Sequence, residues 1–187
     1  MKAKLVYSAI TSLDGFVADA DGNFDWSVPD PEVFSVINDL ERDVGTVLYG
    51  RRMYQTMVYW ETFQRSNDVP SYVQDFADNW RAQTKIVYST TLEHASSART
   101  LIEHSFIPEA VRQMKQSSEH DLSIGGAHLA SQAIDARLVD EMHLFVVPVT
   151  VGSGTPANPG ELRTNLELLG VTRFESGIVH LHYRFDN

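Results

Sequence analysis

Short apolar runs alternate along the chain with stretches whose apolar positions recur at helical spacing. Leu5–Ile10 is the first run and reads as a strand. The loop after it carries Asp14-Gly15 and Asp21-Gly22-Asn23, both turn-forming. Pro31 suits the first turn of a helix, which Val33, Ile37, Leu40 and Val44 continue along one face. Thr46–Tyr49 is a short strand stopped by Gly50, and Arg51 to Val58 is helix-like. Gln64 to Pro70 is polar and aperiodic, a loop, whereas Tyr72, Val73, Phe76 and Trp80 share one helical face.

Lys85–Ser89 is the next strand. Leu92 to Phe106 shows no clear period but has room for a short strand around Arg99–Ile102. Ile107, Val111 and Met114 predict a helix, and Leu122–Ile124 a buried strand ended by Gly125-Gly126. Leu129, Ala133, Ile134 and Leu138 mark the helix behind it, and Met142–Val147 is an apolar, β-branched strand. Val151 to Gly160 is a loop dense in Gly and Pro. Leu166–Phe174 and Ile178–Phe185, joined near Glu175-Ser176-Gly177, form a closing antiparallel hairpin. Strands alternating with helices predict an α/β fold. No repeat or linker interrupts the pattern, so residues 1–187 read as one domain.

Composition narrows the function. The absence of cysteine removes disulfides, thiolate nucleophiles, iron–sulfur clusters and Cys-ligated zinc, the zinc-deaminase signature included. A formal charge of −10 argues against nucleic-acid binding, yet permits a local basic pocket for one phosphorylated cofactor. No run approaches the ~20 apolar residues of a membrane span. The first strand meets Ser8, Thr11, Ser12 and Asp14 without the apolar core of a signal peptide, so cytoplasm is the expected location.

Ligands of open α/β sheets bind at the carboxyl ends of strands, and three such ends carry suitable chemistry. In Leu48-Tyr49-Gly50-Arg51-Arg52-Met53-Tyr54 a strand meets Gly and a helix start with two guanidiniums, a match for phosphate or simply a solvated basic pair. In Ile124-Gly125-Gly126-Ala127-His128 a strand meets glycines and a helix, a phosphate cradle or a plain tight turn, and not the G-x-G-x-x-G pattern. Val87-Tyr88-Ser89-Thr90-Thr91 offers hydroxyls that suit a phosphate, a ribose or a turn.

The order of these segments resembles the cofactor half of the dihydrofolate reductase superfamily. More closely, it resembles the branch related to the C-terminal reductase domain of bifunctional riboflavin-biosynthesis proteins. The likeness includes Ser12-Leu13-Asp14-Gly15-Phe16-Val17-Ala18, Asp25-Trp26, Leu138-Val139-Asp140-Glu141, Pro148 through Pro156, and Ser176-Gly177, and runs from Leu5 to Phe185. It implies a dihydrofolate-reductase-like fold: a mostly parallel central sheet, helices on both faces and a C-terminal antiparallel hairpin. It also implies an NADPH-dependent oxidoreductase like those acting on dihydrofolate or on the phosphoribosylaminouracil intermediate, with a small heteroaromatic or imine-like substrate and homodimers.

By the same resemblance, Gly50, Arg51, Arg52 and Met53 would meet the 2′-phosphate end of NADPH. Gly125, Gly126, Ala127 and His128 would meet its pyrophosphate, and Ser89 and Thr90 its adenosine side. Ala9, Ile10, Val17 and Ala18 would lie at the nicotinamide. Asp14, Trp26, Phe34 and Tyr54 would face the substrate, and Asp14 to Trp26 would act as a gating loop. Where dihydrofolate reductases carry an acid at the start of the first helix, this chain has Pro29-Asp30-Pro31-Glu32-Val33-Phe34. Asp30 and Glu32 are the candidate catalytic acids, but acids also suit a helix start for its own sake. Ala157-Asn158-Pro159 is a further departure. His143, His180 and His182 could approach one another across strands, but no Asp or Glu shares their alternation, and no metal is expected. The alternative to a reductase is a non-catalytic nucleotide or small-molecule binding protein on the same fold.

Overall fold

The computed structural model describes residues 3–160 and 162–186. In chain order the elements are β1 (Leu5–Ser12), β2 (Phe16–Asp19), α1 (Pro31–Glu41), β3 (Val44–Gly50), α2 (Arg51–Met57), α3 (Ser71–Ala82), β4 (Thr84–Tyr88), β5 (Thr100–Glu103), α4 (Pro108–Ser117), β6 (Asp121–Gly125), α5 (Ala127–Asp135), β7 (Glu141–Val147), β8 (Gly154–Pro156), β9 (Leu166–Arg173) and β10 (Val179–Phe185). Short 3-10 turns occupy Asp25–Ser27 and Val58–Glu61. The main sheet runs β5-β4-β3-β6-β1-β7-β10-β9. Neighbours from β5 to β7 are parallel, while β10 is antiparallel to β7 and β9 to β10. β2 and β8 form a separate antiparallel pair.

The continuous apolar centres of β3, β4 and β6 follow from helices covering both faces. On one face Val111 of α4 and Leu129, Ala130, Ala133 and Ile134 of α5 pack on Leu5, Tyr7, Leu48, Leu122 and Ile124. On the other, Tyr54 of α2 and Trp80 of α3 pack on Val47, Tyr49 and Val87, and Val33 of α1 packs on Phe145, Phe174 and Ile178. Each such large side chain contributes roughly 1.5–3 kcal/mol through burial. The Leu138–Glu141 segment is a seam. Asp140 accepts the Leu5 N–H (2.7 Å) and the ammonium of buried Lys115 (2.5 Å), which also donates to the Leu138 carbonyl (2.7 Å).

The fold departs from expectation at three places. Val44 belongs to β3, opposite Asp121, and not to the helix before it. The loop after β1 contains β2, and the Gly- and Pro-rich run contains β8. That pairing needs Gly154: at φ +150°, a Cβ there would stand 1.9 Å from the Ala18 carbonyl oxygen.

Candidate functional site at the carboxyl ends of the parallel strands

Because β4, β3 and β6 are adjacent and parallel, their carboxyl ends lie side by side. Gly50 is in register with Tyr88, and Tyr49 with Gly125. The basic, hydroxyl and diglycine segments therefore meet at one sheet edge. Gly126 has φ +97°, and a Cβ built on it would lie 3.8 Å from the Gly50 nitrogen and 3.4 Å from the Met53 Cβ. Gly125 is required by packing, since a Cβ there would stand 2.8 Å from the Tyr49 ring.

The donors at this edge are unspent. Arg51 and Arg52 are exposed at the start of α2, and neither forms an ion pair among the described residues. Gly126 is the N-cap of α5, and its carbonyl accepts the Leu129 and Ala130 N–H groups (3.1 and 2.9 Å). The Ala127 and His128 N–H groups precede the first intrahelical bond, so this end of the helix favours an anion. Ser89 is buried, and its hydroxyl accepts the Thr91 and Leu92 N–H groups (3.2 and 3.0 Å), which makes it a turn builder. Thr90 beside it is exposed. Sequence reasoning missed His104. β5 pairs with β4 and carries His104 to this edge, where its Nδ1 lies 2.9 Å from the Ser89 carbonyl oxygen; only the weak strand signal at Arg99–Ile102 could have found it.

Around β1 the expected residues divide. Ala9 packs toward the α4–α5 side and Ile10 toward the α1 side, as strand alternation requires, so the two side chains cannot line one pocket. Val17 and Ala18 are half-buried on β2. The first half of the expected gating loop is laced down instead of free. Leu13 donates to Val149 (2.7 Å), Ala157 to Gly15 (2.9 Å), and Asp14 accepts from Gly152 (2.7 Å) and Val151 (3.2 Å). The Ser12 hydroxyl, with the Gly152 and Val151 N–H groups, holds the Asp14 carboxyl below its ordinary range. Trp26, in the 3-10 turn against β1, has an indole N–H shielded from solvent with no acceptor among the described residues. Such a group calls for a partner.

The candidate acids are partly occupied: Asp30 Oδ2 is shielded from solvent with no hydrogen-bond partner among the described residues. Asp30 is the N-cap of α1, and its Oδ1 accepts the Glu32 and Val33 N–H groups (2.8 and 2.9 Å). Burial pushes its carboxyl up, but hydrogen bonds from Ser176, Val33 and Glu32 outweigh this and hold it below the usual range. Exposed Glu32 accepts the Glu175 N–H at 3.2 Å. A carboxyl held ionised is a poor proton donor near neutrality. Phe34 packs on Tyr72 and Phe76 at 5.3 and 5.5 Å between ring centres. Tyr54, expected on the substrate side, is buried, and its hydroxyl meets Ser97 Oγ (2.9 Å) and accepts the Ser96 N–H (2.8 Å). Two surface concavities of about 270 Å³ flank the β9–β10 hairpin, at Asn165–Glu167 with Arg184–Asp186 and at Arg173–Glu175. They lie away from the strand-end donors, whose chemistry makes the strand ends the better candidate.

The histidines bring a correction. β7 starts at Glu141, one residue before the expected start, and alternation sets Glu141 on the His143 face. An acid therefore does join the histidines. His182 stands opposite His143 in register, and its Nε2 meets Glu141 Oε2 at 3.2 Å while Lys4 donates to Oε1 at 2.8 Å. His143 Nδ1 lies 2.9 Å from His180 Nε2, and its ring stacks on His182 at 4.1 Å. Burial, with His182 and His180 nearby, pushes His143 down to about 3.

Comparison with known proteins adds three findings. A family model described as the RibD C-terminal domain matches residues 3–180. The uncharacterized protein YyaP of Bacillus subtilis strain 168 is 27% identical over 185 residues, covering 98% of this chain and 95% of that protein. Among solved structures, a protein of Shewanella sp. PV-4 provisionally assigned to riboflavin biosynthesis superposes with a TM-score of 0.77 at 18% identity, covering all of both chains. Dihydrofolate reductase from Enterococcus faecalis, complexed with NADP(H), gives 0.65 at 14%, covering 100% of this chain and 99% of that one. The fold is thus the one these two solved structures share.

Proposed function

The chain belongs to the RibD C-terminal domain family, and on that premise we propose that it is an NADPH-dependent reductase passing a hydride to a small heteroaromatic or imine-like substrate of pterin or pyrimidine type. The observation that carries this reading is the two guanidiniums, Arg51 and Arg52, without an ion-pair partner among the described residues, beside Gly126 and the start of α5. The dihydrofolate reductase of similar fold was solved with NADP(H), and the donor set here fits such a group. Planar guanidiniums match a 2′-phosphate, and a glycine-capped helix start matches a pyrophosphate. Gly125, Gly126, Ala127 and His128 would hold the pyrophosphate, Gly50 to Arg52 the 2′-phosphate, and Thr90 the adenosine side. Val17, Ala18 and one of Ala9 or Ile10 would border the nicotinamide.

The cofactor supplies the hydride when bound. The chain's own part is to orient the two reactants and to keep water away. The shielded Trp26 N–H would donate to a carbonyl or ring nitrogen of the substrate, which favours a heterocycle over an aliphatic imine. Asp14 would act by fixing the β1–β2 turn on the loop after β7.

A second reading, a cofactor-binding protein without turnover, draws on the engagement of Asp30 and Glu32 by backbone N–H groups. One experiment separates the two. NADPH absorbance is followed with purified protein and a panel of oxidised pterins and pyrimidines. Oxidation with at least one acceptor is expected. NADPH binding with no oxidation selects the second reading, and no binding defeats both.

A further inference from the structure

We propose that Glu141, His143 and His182 form a binding site for a zinc-type divalent cation that clips β10 to β7 on the sheet face bearing Phe145. Ligand atoms from these three side chains all lie within 4.8 Å of one another. A tetrahedral ion with bonds of about 2.0–2.1 Å holds its ligands roughly 3.4 Å apart and lies in the plane of each imidazole, so completing the set requires His182 to rotate off the His143 ring, on which it stacks at 4.1 Å and 18°. His182 can supply the movement, because its side chain is 28% exposed and its hydrogen bond to Glu141 is the one the ion would replace.

The chemistry of the donors fits. Two imidazoles and one carboxylate are a common three-ligand zinc set, with water in the fourth place. Imidazole suits zinc, nickel and copper, and no cysteine is needed. His143 is nearly inaccessible, at 3% exposure, where an apolar side chain would avoid the cost of burying a polar ring. Its Nδ1 is held by His180, which fixes the ring and leaves Nε2 for the ion, as outer partners of metal-binding histidines do. Lys4 is the competitor. Its ammonium sits on Glu141 Oε1 and opposes a dication, but at 51% exposure it can swing into solvent. The site lies near the start of β7, while the cofactor edge proposed above lies at the opposite ends of the parallel strands. Ion binding therefore does not depend on NADPH.

The test is calorimetric titration of the untagged full-length protein with zinc chloride, followed by thermal melts with and without zinc. One equivalent should bind and should raise the melting temperature. His182→Ala, at a half-exposed position, should weaken binding at least about tenfold and abolish the zinc-dependent rise while melting cooperatively without zinc. Glu141→Gln should act alike, so the outcome does not rest on replacing buried His143. Lys4→Met should tighten binding. Absence of a stoichiometric site, or wild-type zinc affinity in both His182→Ala and Glu141→Gln, would overturn the proposal, as would weaker binding in Lys4→Met.

Discussion

The carboxyl edge of β4, β3 and β6 and the opening turn of α1 both gather charge, yet they hold it differently. At the strand edge, Arg51, Arg52 and the first N–H groups of α5 have no partner among the described residues to satisfy them. At α1, Asp30 Oδ1 and Glu32 are engaged by the backbone of their own helix and of the Glu175 turn, and Asp30 Oδ2 alone is left without a partner among the described residues. Unspent donors can act on a ligand, whereas acceptors consumed by capping stabilise the fold. The contrast is the basis for proposing cofactor binding at the first region and a structural part for the Asp30 Oδ1 cap at the second.

The comparison can be broken most severely at the strand edge. Replacing both Arg51 and Arg52 by Ala should raise the NADPH dissociation constant by about 10- to 100-fold for each charged hydrogen bond lost, with little change for NADH. Equal weakening of both would show that the guanidiniums do not read the 2′-phosphate. Gly126→Val should cost roughly 1–3 kcal/mol in chemical denaturation, because φ +97° is hostile to a β-branched side chain, and should weaken cofactor binding as well. At α1, Asp30→Ala should cost about 0.5–2 kcal/mol as a lost N-cap. Asp30→Asn should restore most of that, and turnover per folded molecule should change little in either. The folded Asp30 carboxyl titrates below its ordinary range, so its stabilisation is present above the unfolded pKa of about 3.9 and is lost as pH falls through the folded value. The stability gap between wild type and Asp30→Ala should accordingly narrow in acid. Smallest of all, Tyr54→Phe should cost about 1 kcal/mol through its bonds to Ser96 and Ser97 and leave NADPH affinity untouched.

Most of the sheet was legible because its strands are apolar runs stopped by Gly or polar turns, as at Tyr49-Gly50 and Ile124-Gly125. The misses have local causes. Val44 matched the helical period by coincidence of spacing, and pairing with Asp121 decided its state. β2 and β8 are short, half-exposed and stabilised by each other, so neither showed a pattern alone. Among the candidate residues, the adjacency of those on strand ends could be read because it follows from the fold. The acids at α1 could not, since a capping acid and a catalytic acid look alike in sequence. Glu141 escapes a reading of the apolar run alone, because that run begins at Met142 and leaves the acid outside the strand although it stands two residues from His143 on the same face.

The most direct test of the central claim is to titrate the wild-type protein with NADPH and with NADH in the same buffer and compare the dissociation constants. Free guanidiniums at Arg51 and Arg52 predict tighter NADPH binding by at least about tenfold, the worth of one charge-assisted hydrogen bond. Indistinguishable constants for the two cofactors would contradict it.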